Sequence, residues 1–541
     1  MQKKKIAMLM SAVMILSGTA MPSEMTNAMD DIQISAEETD EAGSSEESEP
    51  EDQETDVEED TDDFGDDSSD EEVSVEPQDG DNESEDEISV FSDEENAAVG
   101  EDEKGEPVES GSCGDNATYK LYADGTLYIE GTGAIAYHCF DNNDNIKSVI
   151  IGEGITSISS FLFQGDKNLV SVTLPEGFTD LENYAFESCS NLTTINLPES
   201  LINIGWGTFG NCSSLANIKL PESLKSIGHH AFRWCSSLTG INLPEGLIDI
   251  EEEAFLGCTS LSEITWPTNI TRIEAGTFSG CSNITSFDLS HLTSIGDSAF
   301  SGCGFKTVTI PENVVELGVN VFKDCANLRS VKLPSNIEKI SDGMFSNCGR
   351  LSEIEIPSSV KEIGDSAFKS NWDLTEINLP EGLVSIGASA FSSTEITSFK
   401  LPESLQNIGN YAFASGQFSD IVIPNNVTKI GNGAFAWSKL RKITVPESVT
   451  DFGDSVFSNC ASLENVVIKS NITELKEDTF KWCYNLKDIT LPESLTKIGK
   501  NVFNGCSKIE RIDLPDNVNE IDEYAFQSSS IKSISKVCFE T

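Results

Sequence analysis

The chain has 541 residues, a formal net charge of −58 and a pI near 4.1. So acidic a chain has no attraction to nucleic acid or to anionic membrane surfaces, which excludes both as electrostatic partners. The charge is uneven: residues 30–110 hold 38 acids and one base, Lys104, whereas residues 111–541 hold 53 acids and 30 bases.

Residues 1–29 read as an export signal. Lys3, Lys4 and Lys5 form a basic start, Ile6–Leu16 is an apolar run, and Gly18-Thr19-Ala20 or Thr26-Asn27-Ala28 offers a small-residue cleavage end. No cysteine closely follows that run, which speaks against a lipid anchor. No later stretch approaches the roughly 18–20 apolar residues of a membrane helix. Lys536–Thr541 carry no LPxTG-like sorting motif. The expectation is a secreted or cell-surface protein without a recognisable anchor in this chain.

Residues 30–110 are mostly Asp, Glu, Ser, Gly and Asn, with Phe64 and Phe91 the only aromatics. Such a segment cannot bury enough apolar surface to offset chain entropy, so a disordered acidic stalk is expected. An unstructured chain of that length spans roughly 50 Å. No D-x-D-x-D-G loop with a closing Glu occurs, so the acid runs read as a solvated spacer rather than a calcium trap. Residues 111–139 follow as a cap: Tyr119–Tyr122, an Ala123-Asp124-Gly125 turn and Thr126–Glu130 suggest a hairpin that closes an open sheet edge.

A repeat fills residues 140–535. Phenylalanine recurs at 140, 163, 186, 209, 232, 255, 278, 300, 322, 345, 368, 391, 413, 435, 457, 480, 503 and 526, always 22 or 23 residues apart. Around it runs L-x-x-I-x-L-P-x-x-L-x-x-I-G-x-x-A-F-x-x-C. That period is one supersecondary unit that can bury its apolar side only by stacking on its neighbours. The alternating I-x-L step places a strand on Ile195-Asn196-Leu197 and its equivalents. Pro198, Pro221, Pro244 and Pro267 stop pairing after it. Ala-Phe closes a short helical or 3₁₀ piece. Only ten of the eighteen positions after the second Ile are Gly, so a positive φ is not obligatory there. The fold expected is a β-rich leucine-rich repeat solenoid of about eighteen turns, with short strands and 3₁₀ or short helical pieces, behind the disordered acidic segment. Residues 536–541 are left as a tail.

The L-P-E-S-L…I-G-x-x-A-F-x-x-C-S-S-L rungs resemble the BspA-like leucine-rich repeats of bacterial surface proteins. Ser112-Cys113-Gly114-Asp115…Asp124-Gly125-Thr126-Leu127…Gly131-Thr132-Gly133 is similar to the lead-in such proteins carry. The resemblance covers about residues 111–535. It implies a curved right-handed solenoid used for adhesion or for binding host and matrix molecules.

Fourteen cysteines in an exported chain would ordinarily mean disulfides. Here Cys189, Cys212, Cys235, Cys258, Cys281, Cys303, Cys325, Cys348, Cys460, Cys483 and Cys506 all fall three residues after a ladder phenylalanine. Rungs stack about 4.8 Å apart with parallel Cβ vectors, wider than the roughly 3.5–4.5 Å a bridge prefers, so buried thiols are expected. Asn371, Thr394, Gly416, Ser438 and Ser529 replace them elsewhere, consistent with a slot for a small residue that bonds weakly to backbone. Cys113 and Cys139 are the one candidate disulfide. Metal binding is not indicated, because no C-x-x-C occurs and only four histidines exist.

No catalytic constellation stands out, and no cofactor is implied. A parallel β-helix hydrolase would cluster acids and bases on consecutive strands, but outward strand pairs such as Thr194/Asn196, Asn217/Lys219, Glu263/Thr265 and Arg511/Asp513 change from rung to rung. Glu353/Glu355 with Glu376 on the next rung is the best carboxylate group, and a solvated strand face explains it. G-x-S-x-G, P-loop and H-E-x-x-H are absent from the sequence. Trp234, Trp437 and Trp482, each two residues after a ladder phenylalanine, could anchor an extracellular protein or glycan, although packing over a neighbouring rung explains them too. The expectation is an adhesin-like binding protein without catalysis. The alternative is a structural spacer or self-associating filament.

Overall fold

In the computed structural model, residues 105–536 apart from residue 138 are described. The export signal and nearly all of the acidic segment lie outside them. Strands β1 (Glu109–Ser112), β2 (Asn116–Leu121) and β3 (Thr126–Ala134) form an antiparallel cap, with Glu109 opposite Leu121 and Leu121 opposite Leu127. The cap therefore starts two residues inside the span assigned to the acidic stalk and has three strands rather than a hairpin. β3 is long enough to serve both sides of the first rung. Its start pairs in parallel with β4 (Ser148–Ile151), and its end pairs with β5 (Ile155–Ser157).

From β4 onward every ladder is parallel, and the molecule is a β-solenoid. The first ladder follows the I-x-L step: Ser171–Thr173 pairs with Thr194–Asn196, one residue earlier than the spacing predicts. The second ends on the Ile or Leu of the I-G step, as in Asp180–Leu181, Asn203–Ile204, Ser226–Ile227 and Asp249–Ile250, whether Gly or Glu follows. Side chains alternate, so Ile195 is buried between exposed Thr194 and Asn196.

The expected helical pieces are turns. The reason is a pair of left-handed residues two before and two after each ladder phenylalanine from Phe163 to Phe526, such as Tyr184 (φ +56°) and Ser188 (φ +61°) around Phe186. A helix cannot propagate through two such residues. Instead the Tyr184, Phe186 and Ser188 amides donate to the Trp206, Thr208 and Gly210 carbonyls of the next rung. The left-handed columns hold mainly Ser, Gly, Asn and Asp, of which Gly, Asn and Asp tolerate that conformation best. The glycines after Ile have no positive φ. Gly205 serves close approach, since a Cβ there would lie 2.8 Å from the Leu181 carbonyl oxygen.

The core is a continuous column. Seventeen successive phenylalanine pairs, from Phe140–Phe163 to Phe503–Phe526, stack with centroids 5.3–6.0 Å apart and planes within 21°. Beside it the slot cysteines are unbridged and buried. Each of the eleven donates its Sγ–H to the phenylalanine carbonyl of the preceding rung, as Cys189 does to Phe163 at 3.1 Å and Cys348 to Phe322 at 3.0 Å. Burial pushes the Cys235, Cys325, Cys460 and Cys506 thiols up to about 12, so they stay protonated donors. Cys113 and Cys139 are also unbridged, with the Cys139 thiol 3.8 Å from the Cys113 carbonyl.

Candidate functional site

Three surfaces hold the residues that the sequence singles out, and they lie apart. The first is the turn edge. Trp234, Trp437 and Trp482 occupy the left-handed column, each with φ +60°. A bulky side chain there costs on the order of 1–3 kcal/mol. What offsets it is visible at two of the three. The Trp234 ring lies on the next rung's Gly257, where a Cβ would come within 2.4 Å of it, and Trp482 lies likewise on Gly505. Each also carries a neighbouring cation, Arg233 at 6.0 Å and Lys481 at 4.9 Å from the ring centroid. Trp437 stacks on Tyr411 with centroids 6.4 Å apart. Each of the three therefore has a packing partner on a neighbouring rung, although Trp234 and Trp437 stay 45% and 41% exposed. Trp437 and Trp482 are two rungs apart, but Trp234 is nine rungs from Trp437, about 43 Å at the ladder spacing, so the three do not form one site.

The second surface is the acidic stretch of the strand face. Glu353 and Glu355 point outward from their strand, and Glu376, on the next rung, bridges Ser398. All three are exposed. Among the described residues no three His, Cys, Asp or Glu side chains are arranged to hold a metal ion.

The third surface was only half legible. A groove of about 950 Å³ opens on the strand face, walled by Asn217, Lys219, Asn242, Glu263, Thr265 and Asp288. Two of the alternating outward pairs, Asn217/Lys219 and Glu263/Thr265, are brought together here. Gly240, between them, removes one outward side chain, so the middle rung forms the groove floor. The ladder is also interrupted on both sides: Gly240–Asn242 pairs with Glu263–Thr265, but the rungs at 217–219 and 285–288 form no strand. On the second of these Phe287 fills the usual Ile position and packs against Phe278 and Phe300, at 5.4 and 5.2 Å. Two adjoining grooves of about 430 and 460 Å³ lie further along and share Val422 and Lys442. Val422 is 82% exposed there.

The repeat is matched by the profile of the BspA type leucine rich repeat region over residues 133–232, 203–328, 293–419 and 406–532. The chain belongs to that family. Solved structures that it resembles include a leucine-rich repeat protein from Bacteroides ovatus, 25% identical, with TM-score 0.36, covering 78% of this chain and 89% of that one. A leucine rich cell surface protein from Faecalibacterium prausnitzii is 21% identical, with TM-score 0.37, covering 79% and 98%. A leucine-rich repeat protein of T. pallidum is 26% identical, with TM-score 0.28, covering 39% and 86%. No curated protein matches the sequence. No helix among the described residues is long and apolar enough to cross a membrane.

Proposed function

We propose that this BspA-type protein is exported and acts outside the cell as an adhesin-like binding protein, without catalysis, through the strand face of its solenoid. The observation that supports this reading best is the groove over the rungs from Asn217 to Asp288. Its walls are amide, hydroxyl, carboxylate and ammonium side chains above an apolar floor of Ile241, Ile264 and Phe287. Ligand sites combine an apolar base with a few directed polar groups in this way. The basic start and apolar run of residues 1–29 support export. The partner class is an extracellular protein or glycan.

The test is a screen of the full-length chain against extracellular-matrix proteins and glycans, followed by Gly240→Arg, which fills the groove. Gly240 sits in an outward position with Glu263 as its nearest neighbour, so the fold should survive. The reading expects a ligand whose affinity falls at least about tenfold in the variant. A ligand bound equally by Gly240→Arg would move the site elsewhere. No ligand at all, together with self-assembly on sedimentation, would favour the spacer or filament.

A further inference from the structure

The turn face of the early rungs carries an arrangement that the strand-face reading does not use. Register in the second ladder aligns Leu181, Ile204, Ile227 and Ile250, so Asn183, Trp206, His229 and Glu252, each two residues on, form one column. Trp206 is 50% exposed. Glycines flank it on its own rung, Gly205 and Gly207, and its ring rests on Gly228, where a Cβ would lie 2.8 Å from the indole. Nothing on its rung shields the indole from the side.

Aromatic and acidic groups continue the surface on both sides. On the rung before, Tyr184 lies over Gly207 and stacks on Phe161 at 5.0 Å, with exposed Glu182 two residues away. On the rung after, the His229 ring meets Trp206 at 6.4 Å and His230 at 3.7 Å. Burial lowers the His230 pKa despite Glu253 beside it, which keeps that ring from adding positive charge at neutral pH. One rung further stand Glu251, Glu252 and Glu253. These three columns hold no Lys or Arg from Glu182 to Glu253.

The chain shows what such a tryptophan accepts. Trp234 and Trp482 each hold a cation of their own, Arg233 and Lys481. Among the described residues Trp206 has none, although carboxylates stand one rung before it, at Glu182, and two rungs after it, at Glu251, Glu252 and Glu253. We propose that the Trp206 surface binds an extended, cationic polypeptide segment, with one Lys or Arg over the indole and a second against Glu252 and Glu253. Two rungs separate those positions, about 10 Å, which three residues of a polyproline II chain span at about 3.1 Å each with both side chains on one face. The partner's signature is therefore two basic residues three apart. Carboxylates on both sides repel anionic glycans and acidic peptides. This rests on the binding role proposed above but not on the strand-face groove.

The test is a titration of full-length protein with a Gly/Ser peptide carrying two arginines three residues apart. A peptide with glutamates in their place and a neutral β-glucan hexasaccharide serve as comparison probes. The acidic segment attracts any basic peptide to the same extent in every variant, so the difference between variants is the readout. Cation–π contacts of this exposure carry about 1 kcal/mol, so Trp206→Ala and Trp206→Leu should each weaken the arginine peptide about fivefold. Glu252→Gln with Glu253→Gln should weaken it further, while Trp372→Ala, another exposed tryptophan, should change nothing. Gly240→Arg should also leave this binding intact, which separates the two surfaces. Equal affinity in wild type and both Trp206 variants would overturn the proposal. So would loss of hexasaccharide binding in Trp206→Ala with peptide binding unchanged, which would assign the surface to carbohydrate.

Discussion

From Cys189 to Cys348 every rung places cysteine three residues after its phenylalanine, whereas from Asn371 to Ser438 none does. In the first stretch each thiol bonds the preceding phenylalanine carbonyl. In the second, Thr394 turns back to its own rung's Phe391 carbonyl, Ser438 bonds the Cys460 sulfur, and Gly416 has no side chain to offer. Three of these four rungs are also one residue shorter, because Ile396, Phe418 and Leu440 follow the slot after two residues rather than three. At Gly416 a Cβ would strike the Phe418 ring at 2.2 Å, so this ring occupies the space a slot side chain would take. Across the same rungs the first ladder is reduced to the bridges Glu376–Ser398 and Asp420–Lys442, while the second runs unbroken from Lys339 to Asp451. The ring stack does not register the change: Phe391–Phe413 is 5.5 Å and Phe413–Phe435 is 5.6 Å. The phenylalanine column and the second ladder hold the solenoid together, and the thiol slot is an added, local hydrogen bond.

If that is so, the largest effect comes from the ring column and is the same in both stretches. Phe345→Ala and Phe413→Ala should each cost about 3–5 kcal/mol, the usual loss for a buried phenylalanine. Nearest-neighbour coupling confines the damage. Limited proteolysis of Phe345→Ala should cut near residues 330–360 while the terminal rungs stay protected. A much smaller loss for Phe413→Ala would show that the irregular stretch is held differently.

The next effect lies at the start of the slot. Asp166 occupies it, fully buried, with one carboxyl oxygen accepting from the Asn143 amide at 2.6 Å and the other without a partner. Register puts the Phe140 carbonyl where later thiols find their acceptor, so a protonated carboxyl can donate there as they do. Burial, with Asp141 and Asp144 adding repulsion, raises its pKa to about 8. The folded state then holds a proton that the unfolded chain releases near pH 4, so stability should fall as pH rises from about 4 to about 8 and level off above. Asp166→Asn should remove that slope and melt higher than wild type at pH 8. Parallel melting curves for the two proteins across this range would refute it.

A smaller gain is expected within the irregular stretch. Both amide atoms of Asn371 are buried without a partner. Each unsatisfied group costs about 1–3 kcal/mol, so Asn371→Cys, which restores a donor to Phe345, should raise the melting temperature. No gain would mean that the amide is satisfied by solvent in the solenoid.

Much of this is legible in the sequence. The period, the ring column, the buried thiols and the two strand sides follow from spacing, because each depends on residues one rung apart. The turns are not legible from the Ala-Phe step, which suits a short helical piece equally well; the left-handed columns that exclude a helix flank phenylalanine at residues such as Asn347, Ser370 and Asn459. Asp166 does not stand out as a slot residue because the slot otherwise favours small side chains. The groove at Gly240 depends on which rungs lose strand pairing, and no local motif marks the rungs at 217–219 and 285–288 that do. Spacing does not single out Trp206, which lies three residues before its phenylalanine, outside the column of the other turn-edge tryptophans.

The most direct test of the stacked-slot account is alkylation of native and denatured protein, followed residue by residue with mass spectrometry. All eleven slot cysteines should label as free thiols once denatured. In the native state Cys139, exposed, should label at once, Cys235 and Cys258 last, and Cys348 and Cys460, which border the irregular stretch, in between. Disulfides between neighbouring slot cysteines, or rapid native labelling of Cys235 and Cys258, would contradict it.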